Sequence, residues 1–181
     1  MPSRTINWST PRARDIAREL VRSSGDRWTH VRSVGRAADD LAAQGLDIPE
    51  DVISAAWLHD IGYATRLADT GFHPIDGARW LAAKGAPMGI VALVAYHSGA
   101  RFEAEERDLT DELTVFPQPD EEMLDLLTML DMLDTLSTRP SRDRTSTSWP
   151  AQSGPPHACT GPALELLPPS PWTARDLGRY D

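Results

Sequence analysis

The chain has 181 residues, 40% of them hydrophobic, and its 27 acidic residues outnumber 18 basic ones to give a net charge of −9. This length accommodates one domain with a substantial core, and an acidic surface disfavours an extended nucleic-acid duplex because it repels the phosphate backbone. No stretch approaches the roughly 20 apolar residues of a membrane helix, and the first residues lack the apolar segment of a secretory signal. We therefore expect a cytoplasmic protein without a membrane partner.

Helix start and stop signals recur along the chain. Proline at a first helical position, acidic residues in a first turn and glycine after a last turn mark the boundaries. The predicted helices run from about 10 to 25, 26 to 45, 49 to 62, 73 to 85, 87 to 99 and 120 to 137. No strand pattern or internal repeat interrupts them. The sequence therefore predicts an all-α domain, a compact bundle of about six helices over residues 11–137.

Three segments lack a helical pattern. Residues 63–72 are expected to form a loop, and the acidic residues 101–122 a solvated loop, with a lid over the site as the alternative. Residues 138–181 contain eight of the fifteen prolines. Such a composition buries too little apolar surface to offset its ordering entropy, so a low-complexity, disordered tail is expected. A natural tail and a shifted reading frame both stay open as its origin.

Six potential metal ligands lie in or beside the apolar helices. Any one of them could be a hydrogen-bonded core residue or a helix cap. As a set they are harder to explain by packing, because a buried carboxylate needs a partner and a buried imidazole needs hydrogen bonds. A divalent cation would satisfy all of them, and imidazole with carboxylate suits Mn, Mg, Fe, Co or Zn. In chain order the six are His30, His59, Asp60, His73, His97 and Asp131.

Part of this set resembles a known family. The order His30, His59-Asp60, Asp131 is similar to that of the HD-domain superfamily of metal-dependent phosphohydrolases, which are all-helical, and the resemblance covers about residues 11–137. Its local motifs are Arg27-Trp28-Thr29-His30-Val31, Leu58-His59-Asp60-Ile61-Gly62 and Leu130-Asp131-Met132-Leu133-Asp134.

The resemblance implies a ligand set. His30, His59, Asp60 and Asp131 would hold one divalent ion, and His73 and His97 would complete a second, with Asp60 as the bridge. Asp131 is preferred over Asp134, which could orient a ligand. The chain departs from two-metal members at Tyr96-His97, where they often have two histidines, and at Tyr63-Ala64, where they often have lysine. One ion is expected, and a second is possible.

The resemblance also implies an activity. A metal-bound hydroxide would cleave a phosphomonoester or phosphodiester of a small metabolite or nucleotide. Asp60 would take part in catalysis, and His73 or His97, if not a ligand, would protonate the leaving oxygen. Arg66 is the favoured substrate-binding residue, with Lys84 and Arg101 as alternatives.

Two other functions stay open. One is a di-iron HD-type oxygenase, and the other is a non-catalytic, metal-stabilised ligand-sensing module. No feature of the sequence specifies the substrate or the oligomeric state.

Overall fold

A computed structural model describes residues 8–137 of the chain, with side chains up to Leu133. The described part is helical and contains no strand, which confirms the all-α prediction. The α-helices are α1 Thr10–Val21, α2 Asp26–Ala43, α3 Glu50–Leu58, α4 His73–Ala83, α5 Met88–Tyr96, α6 Ala100–Glu106, α7 Thr110–Thr114 and α8 Glu121–Ser137. Short 3-10 turns occupy Ile61–Tyr63, Thr65–Leu67 and His97–Gly99. The predicted tail, residues 138–181, lies outside the described residues.

Helices α3 and α5 lie at the centre of the bundle. Helix α3 packs against α1, α2, α5 and α8. Every residue of α5 from Ile90 to Tyr96 is buried, as expected for a helix that is apolar on all sides. The residues that follow α3 and α5 are consequently carried into the interior.

Two segments predicted as loops are more ordered than expected. Residues 101–122 contain the short helices α6 and α7, and Ala104, Leu113 and Phe116 are buried. The hydroxyl of Tyr96 donates to the carbonyl oxygens of Leu113 and Phe116 at 3.3 and 3.4 Å. This segment is therefore packed against the core, because its scattered apolar residues are sufficient to anchor it.

A buried carboxylate organises the turn before α4. Asp76, which is 2% exposed, accepts hydrogen bonds from the backbone N–H groups of Asp69, Thr70 and Gly71. The Thr70 hydroxyl donates to the same carboxylate at 2.7 Å. These bonds fix the chain that leads into His73, in the stretch predicted as a plain loop.

Two glycines allow close helix contacts. A Cβ at Gly35 in α2 would lie 2.3 Å from the Trp57 ring of α3, and one at Gly62 would lie 2.0 Å from the carbonyl oxygen of His73. Real Cβ atoms do not approach neighbours so closely. Glycine at these positions thus lets α2, α3 and the start of α4 converge.

Among the described helices, none has both the length and the hydropathy needed to cross a bilayer.

Candidate metal centre

The six predicted ligands come from five separate places in the bundle, and the structure brings all of them together. His30 projects from α2, His59 caps α3, and Asp60 follows it. His73 opens α4, His97 follows α5, and Asp131 lies on α8. The Asp60 backbone, with φ −104° and ψ 10°, lies in the sparsely populated bridge region that is frequent in active sites.

Asp60 lies between two pairs of histidines. Its Oδ2 is 3.4 Å from His59 Nε2 and 3.7 Å from His30 Nε2. Its Oδ1 is 3.2 Å from His73 Nε2 and 3.7 Å from His97 Nε2. These side chains form two groups, each of which could hold a metal ion. The groups are His30–His59–Asp60 and Asp60–His73–His97, and they share Asp60.

The imidazole orientations favour cation binding. His59 Nδ1 is 3.0 Å from the Ala56 carbonyl oxygen, and His97 Nδ1 is 2.7 Å from that of Val94. Because a carbonyl only accepts, each Nδ1 carries a proton, and each Nε2 is the nitrogen directed to the centre, where the neutral imidazole offers a lone pair. Backbone carbonyls three residues earlier in the chain therefore fix both ring orientations.

Within each pair, two imidazole nitrogens face each other. The Nε2 atoms of His30 and His59 are 3.2 Å apart, as are those of His73 and His97. Imidazole nitrogens at this distance, beside a carboxylate, form a donor set that a divalent cation satisfies when it displaces their protons. The residues of both groups fit such an ion.

Asp131 lies on the His30 side of the centre. Its Oδ1 is 2.8 Å from His30 Nε2 and 3.7 Å from His59 Nε2. Its other oxygen accepts a hydrogen bond from the Ser98 hydroxyl. Ser98 adopts a left-handed conformation with φ 50°, and no sequence signal beyond its position next to His97 indicated this contact. The side chain of Asp134 is outside the described residues.

The two carboxylates are held in their ionised form. Burial of Asp60 favours its neutral acid, but His59, His73 and His97 outweigh burial and hold its pKa far below the ordinary range. Burial also opposes ionisation of Asp131, and the hydrogen bond from His30 and the proximity of His59 lower its pKa well below normal. Both groups are consequently anionic at neutral pH and could serve as metal ligands.

The pKa values of His59 and His73, one from each pair, are shifted in opposite directions. Burial lowers the pKa of His73 and keeps it neutral, against the opposing effect of Asp60. Burial likewise opposes the charging of His59, but the adjacent Asp60 raises its pKa above the usual value. Of these two imidazoles, His73 is therefore the better prepared for a cation in the metal-free protein.

Sequence reasoning did not select Arg27 and Tyr63, which lie on the solvent side of this cluster. Arg27 Nη1 is 2.6 Å from Asp60 Oδ2, and its guanidinium carbon lies 4.0 Å from the centre of the Tyr63 ring. Tyr63 stacks on His73 with ring centres 4.1 Å apart. The signal for Arg27 was its spacing, since it precedes His30 by three residues and so shares its helix face.

The other predicted cations lie elsewhere. Arg66 Nη2 is 3.0 Å from Glu19 Oε1, and both side chains are largely exposed. The Lys84 ammonium lies 5.8 Å from the centre of the Trp80 ring, and Arg101 is exposed on α6. The structure thus brings Arg27, rather than Arg66, into contact with the cluster.

Comparison with known proteins identifies the family of the chain. The family model described as HD domain matches residues 27–138, a range that contains all six ligand candidates. No curated protein matches the chain, and no solved structure does. Because the matched range exceeds half of the sequence, the chain belongs to the HD domain family.

Proposed function

We propose that this domain is a metal-dependent phosphohydrolase that cleaves a phosphomonoester or phosphodiester of a small metabolite or nucleotide. The observation that carries the proposal is the position of Asp60, each of whose oxygens faces its own pair of histidines. When bound there, divalent cations neutralise charge on phosphoryl oxygens and lower the pKa of a coordinated water.

The chain's own residues supply orientation and charge. Asp60 and Asp131 are the anionic ligands, and His59 and His97, 1% and 2% exposed, close the centre on its inner side. Arg27 lies at the solvent side, where its guanidinium offers charge-assisted hydrogen bonds to a phosphoryl group.

His73 is the imidazole placed for proton transfer if it is not bound to an ion. Its side chain is 17% exposed, whereas that of His97 is 1% exposed. Tyr63 stacks on its ring and limits the ring's rotation. A substrate that enters from solvent would meet His73 before His97. Protonation of its leaving oxygen by His73 requires the imidazolium form, which burial of this side chain opposes.

The proposal is tested with a panel of phosphomonoesters, phosphodiesters and nucleotides, each assayed with Mn, Mg, Co, Ni and Zn. Asp60→Asn keeps the side-chain volume and removes the charge that both pairs face, so we expect turnover to fall at least about 100-fold. Asp125→Asn, at an exposed position of α8, is the matched control. Full activity of Asp60→Asn would exclude catalysis at this centre.

A second function is favoured by the same four imidazoles. Two nitrogen ligands on each side of a bridging carboxylate also suit a pair of irons, as in an HD-type oxygenase. Anaerobic iron loading followed by measurement of oxygen uptake with candidate substrates separates the two chemistries. Phosphate release without oxygen consumption supports the hydrolase, and retained metal without either activity supports a ligand-sensing module.

A further inference from the structure

A basic groove lies between α1 and α2. Its volume is about 780 Å³, within the range of roughly 300–1,000 Å³ that is usual for small-molecule sites. Five arginines line it, in a protein whose net charge is −9. They are Arg14 and Arg18 on α1, Arg22 directly after α1, and Arg32 and Arg36 on α2.

Only one of these arginines has a carboxylate partner among residues 8–133. Arg14 Nη2 is 2.7 Å from Asp39 Oδ2, and the same carboxylate oxygen accepts a hydrogen bond from Trp57 Nε1 at 3.2 Å. Arg14 also lies over the Trp57 ring, 5.0 Å from its centre. Arg14 is therefore engaged in a contact with Asp39 and Trp57, and its guanidinium group is not available to a ligand.

The other four guanidinium groups form no ion pair with the described side chains. Asp40 is the one further acid lining the groove. On α1, Asp15 and Glu19 line an adjoining cavity together with Arg18 and Arg22, and Glu19 is already paired with Arg66. The positive charge of the groove therefore exceeds the negative charge that lies near it.

The spacing of the arginines makes this excess costly. Arg18 and Arg22, the residue that follows α1, are four residues apart, as are Arg32 and Arg36 on α2, and like charges at this spacing repel. Nearby acids, which are Asp15, Glu19 and Asp40, offset part of this repulsion. A bound polyanion would relieve the repulsion and gain charge-assisted, bidentate hydrogen bonds. These four exposed guanidinium groups are thus available to a polyanionic ligand.

The dimensions favour a small ligand. Arg14 and Arg22 are eight residues apart, about 12 Å along a helix at 1.5 Å per residue, so the groove accommodates a few consecutive phosphates. Trp28 is half-buried and also lines it, which offers a face for an aromatic base. An extended nucleic acid would continue onto the acidic surface outside the groove, where it would be repelled.

The groove is separate from the metal centre. None of the six cluster residues lines it. On α2, Trp28 and His30 are two residues apart, about 200° around the helix axis, so the groove and the centre lie on different sides of this helix. The two sites are connected through α2 and do not overlap.

We infer that the groove between α1 and α2 is a second binding site, for a small molecule that carries two or more phosphates, with Arg18, Arg22, Arg32 and Arg36 as its anion ligands. Nucleoside polyphosphates and inorganic oligophosphates share this chemistry. The inference does not depend on the activity of the metal centre.

Isothermal titration calorimetry of the full chain in excess EDTA tests it, because chelation prevents binding of phosphate through a metal ion. The probes are ATP, GTP, inorganic tripolyphosphate and adenosine. We expect one site for the phosphorylated probes, none for adenosine, and an affinity loss of at least tenfold in the double variant Arg18→Gln/Arg32→Gln. Arg12→Gln, an exposed arginine of α1 outside the groove, should leave binding unchanged.

The variant Trp28→Leu distinguishes a nucleotide ligand from an inorganic oligophosphate. A selective loss of ATP or GTP affinity supports a nucleotide that stacks on this ring, and equal retention of all phosphorylated probes supports an oligophosphate. Circular dichroism checks that each variant is folded. Absence of binding, an equal loss in Arg12→Gln, or binding only to a single-stranded RNA oligonucleotide would overturn the inference.

Discussion

A methyl group at Gly62 would lie 2.0 Å from the carbonyl oxygen of His73. Because His73 is the first residue of α4, the missing side chain at Gly62 sets how closely that helix start approaches Asp60. The glycine that follows the His59-Asp60 doublet is thus a packing requirement of the candidate metal centre.

Replacement of Gly62 by alanine should therefore displace the start of α4. We expect a loss of about 1–3 kcal/mol in the free energy of unfolding, as for other overpacked sites, together with weaker metal retention. Urea denaturation and elemental analysis measure the two effects. Gly77→Ala is the control, since its Cβ would meet its nearest atom at 3.3 Å, and it should cost less. Equal losses in both variants would contradict the argument.

From the two histidine pairs we predict two metal sites, each of which can be removed by substitution of its own histidine. His97→Ala takes one nitrogen from the Asp60–His73–His97 group and leaves His30 and His59 in place. We expect the metal content to fall by about one ion per chain in this variant and by more in Asp60→Asn, which affects both groups. Elemental analysis after mild dialysis gives the stoichiometry. A wild type that retains one ion, unchanged in His97→Ala, would exclude the second site.

Substitution of Arg27 and of Arg66 tests which of the two arginines binds substrate. Arg27 contacts Asp60 at 2.6 Å, whereas Arg66 pairs with Glu19. On the best substrate of the panel, Arg27→Gln should lower kcat/KM by about 10–100-fold, because a charged hydrogen bond is worth about 1.5–3 kcal/mol. Arg66→Gln should change it by less than about twofold, since exposed ion pairs contribute little. The reverse order would restore Arg66 as the substrate-binding residue.

Tyr96, directly before His97, has a structural role. Its hydroxyl donates to the carbonyls of Leu113 and Phe116 and so anchors α7. Tyr96→Phe should reduce the free energy of unfolding by about 1 kcal/mol, the usual worth of such bonds, without changing the metal content. Thermal denaturation and elemental analysis test both parts. A change in metal content would place Tyr96 in the centre.

Acid should destabilise the metal-free protein through Asp131. Burial opposes its ionisation, but His30, His59 and Ser98 lower its pKa in the folded state. Its stabilising contribution is therefore complete above the ordinary aspartate pKa of about 3.9 and is lost as the pH falls towards the folded value. Urea titrations in EDTA should show the free energy of unfolding decreasing below about pH 4, with a shallower decrease in Asp131→Asn. The same pH dependence of the free energy of unfolding in wild type and in Asp131→Asn would contradict this role of Asp131.

Much of the helical framework was predictable because its signals are local. Proline and acidic residues start α3, glycine follows α4, and the apolar body of α5 indicated a central helix, so these elements form where the sequence places them. The segment 101–122 was not predictable in the same way. Its helices are short, and their apolar residues are recognisable as anchors only once the core they contact is formed.

The sequence by itself determined the order and chemical type of the six ligand candidates, because imidazole and carboxylate on apolar helix faces need partners. Only the tertiary structure decided that Asp60 lies between two histidine pairs, that Arg27 reaches it while Arg66 does not, and that five arginines of α1 and α2 share one groove. Helix periodicity fixes the direction of a side chain relative to its own helix axis. Distances between helices depend on how they pack, which here rests on close contacts such as Gly35 with Trp57 and Gly62 with His73.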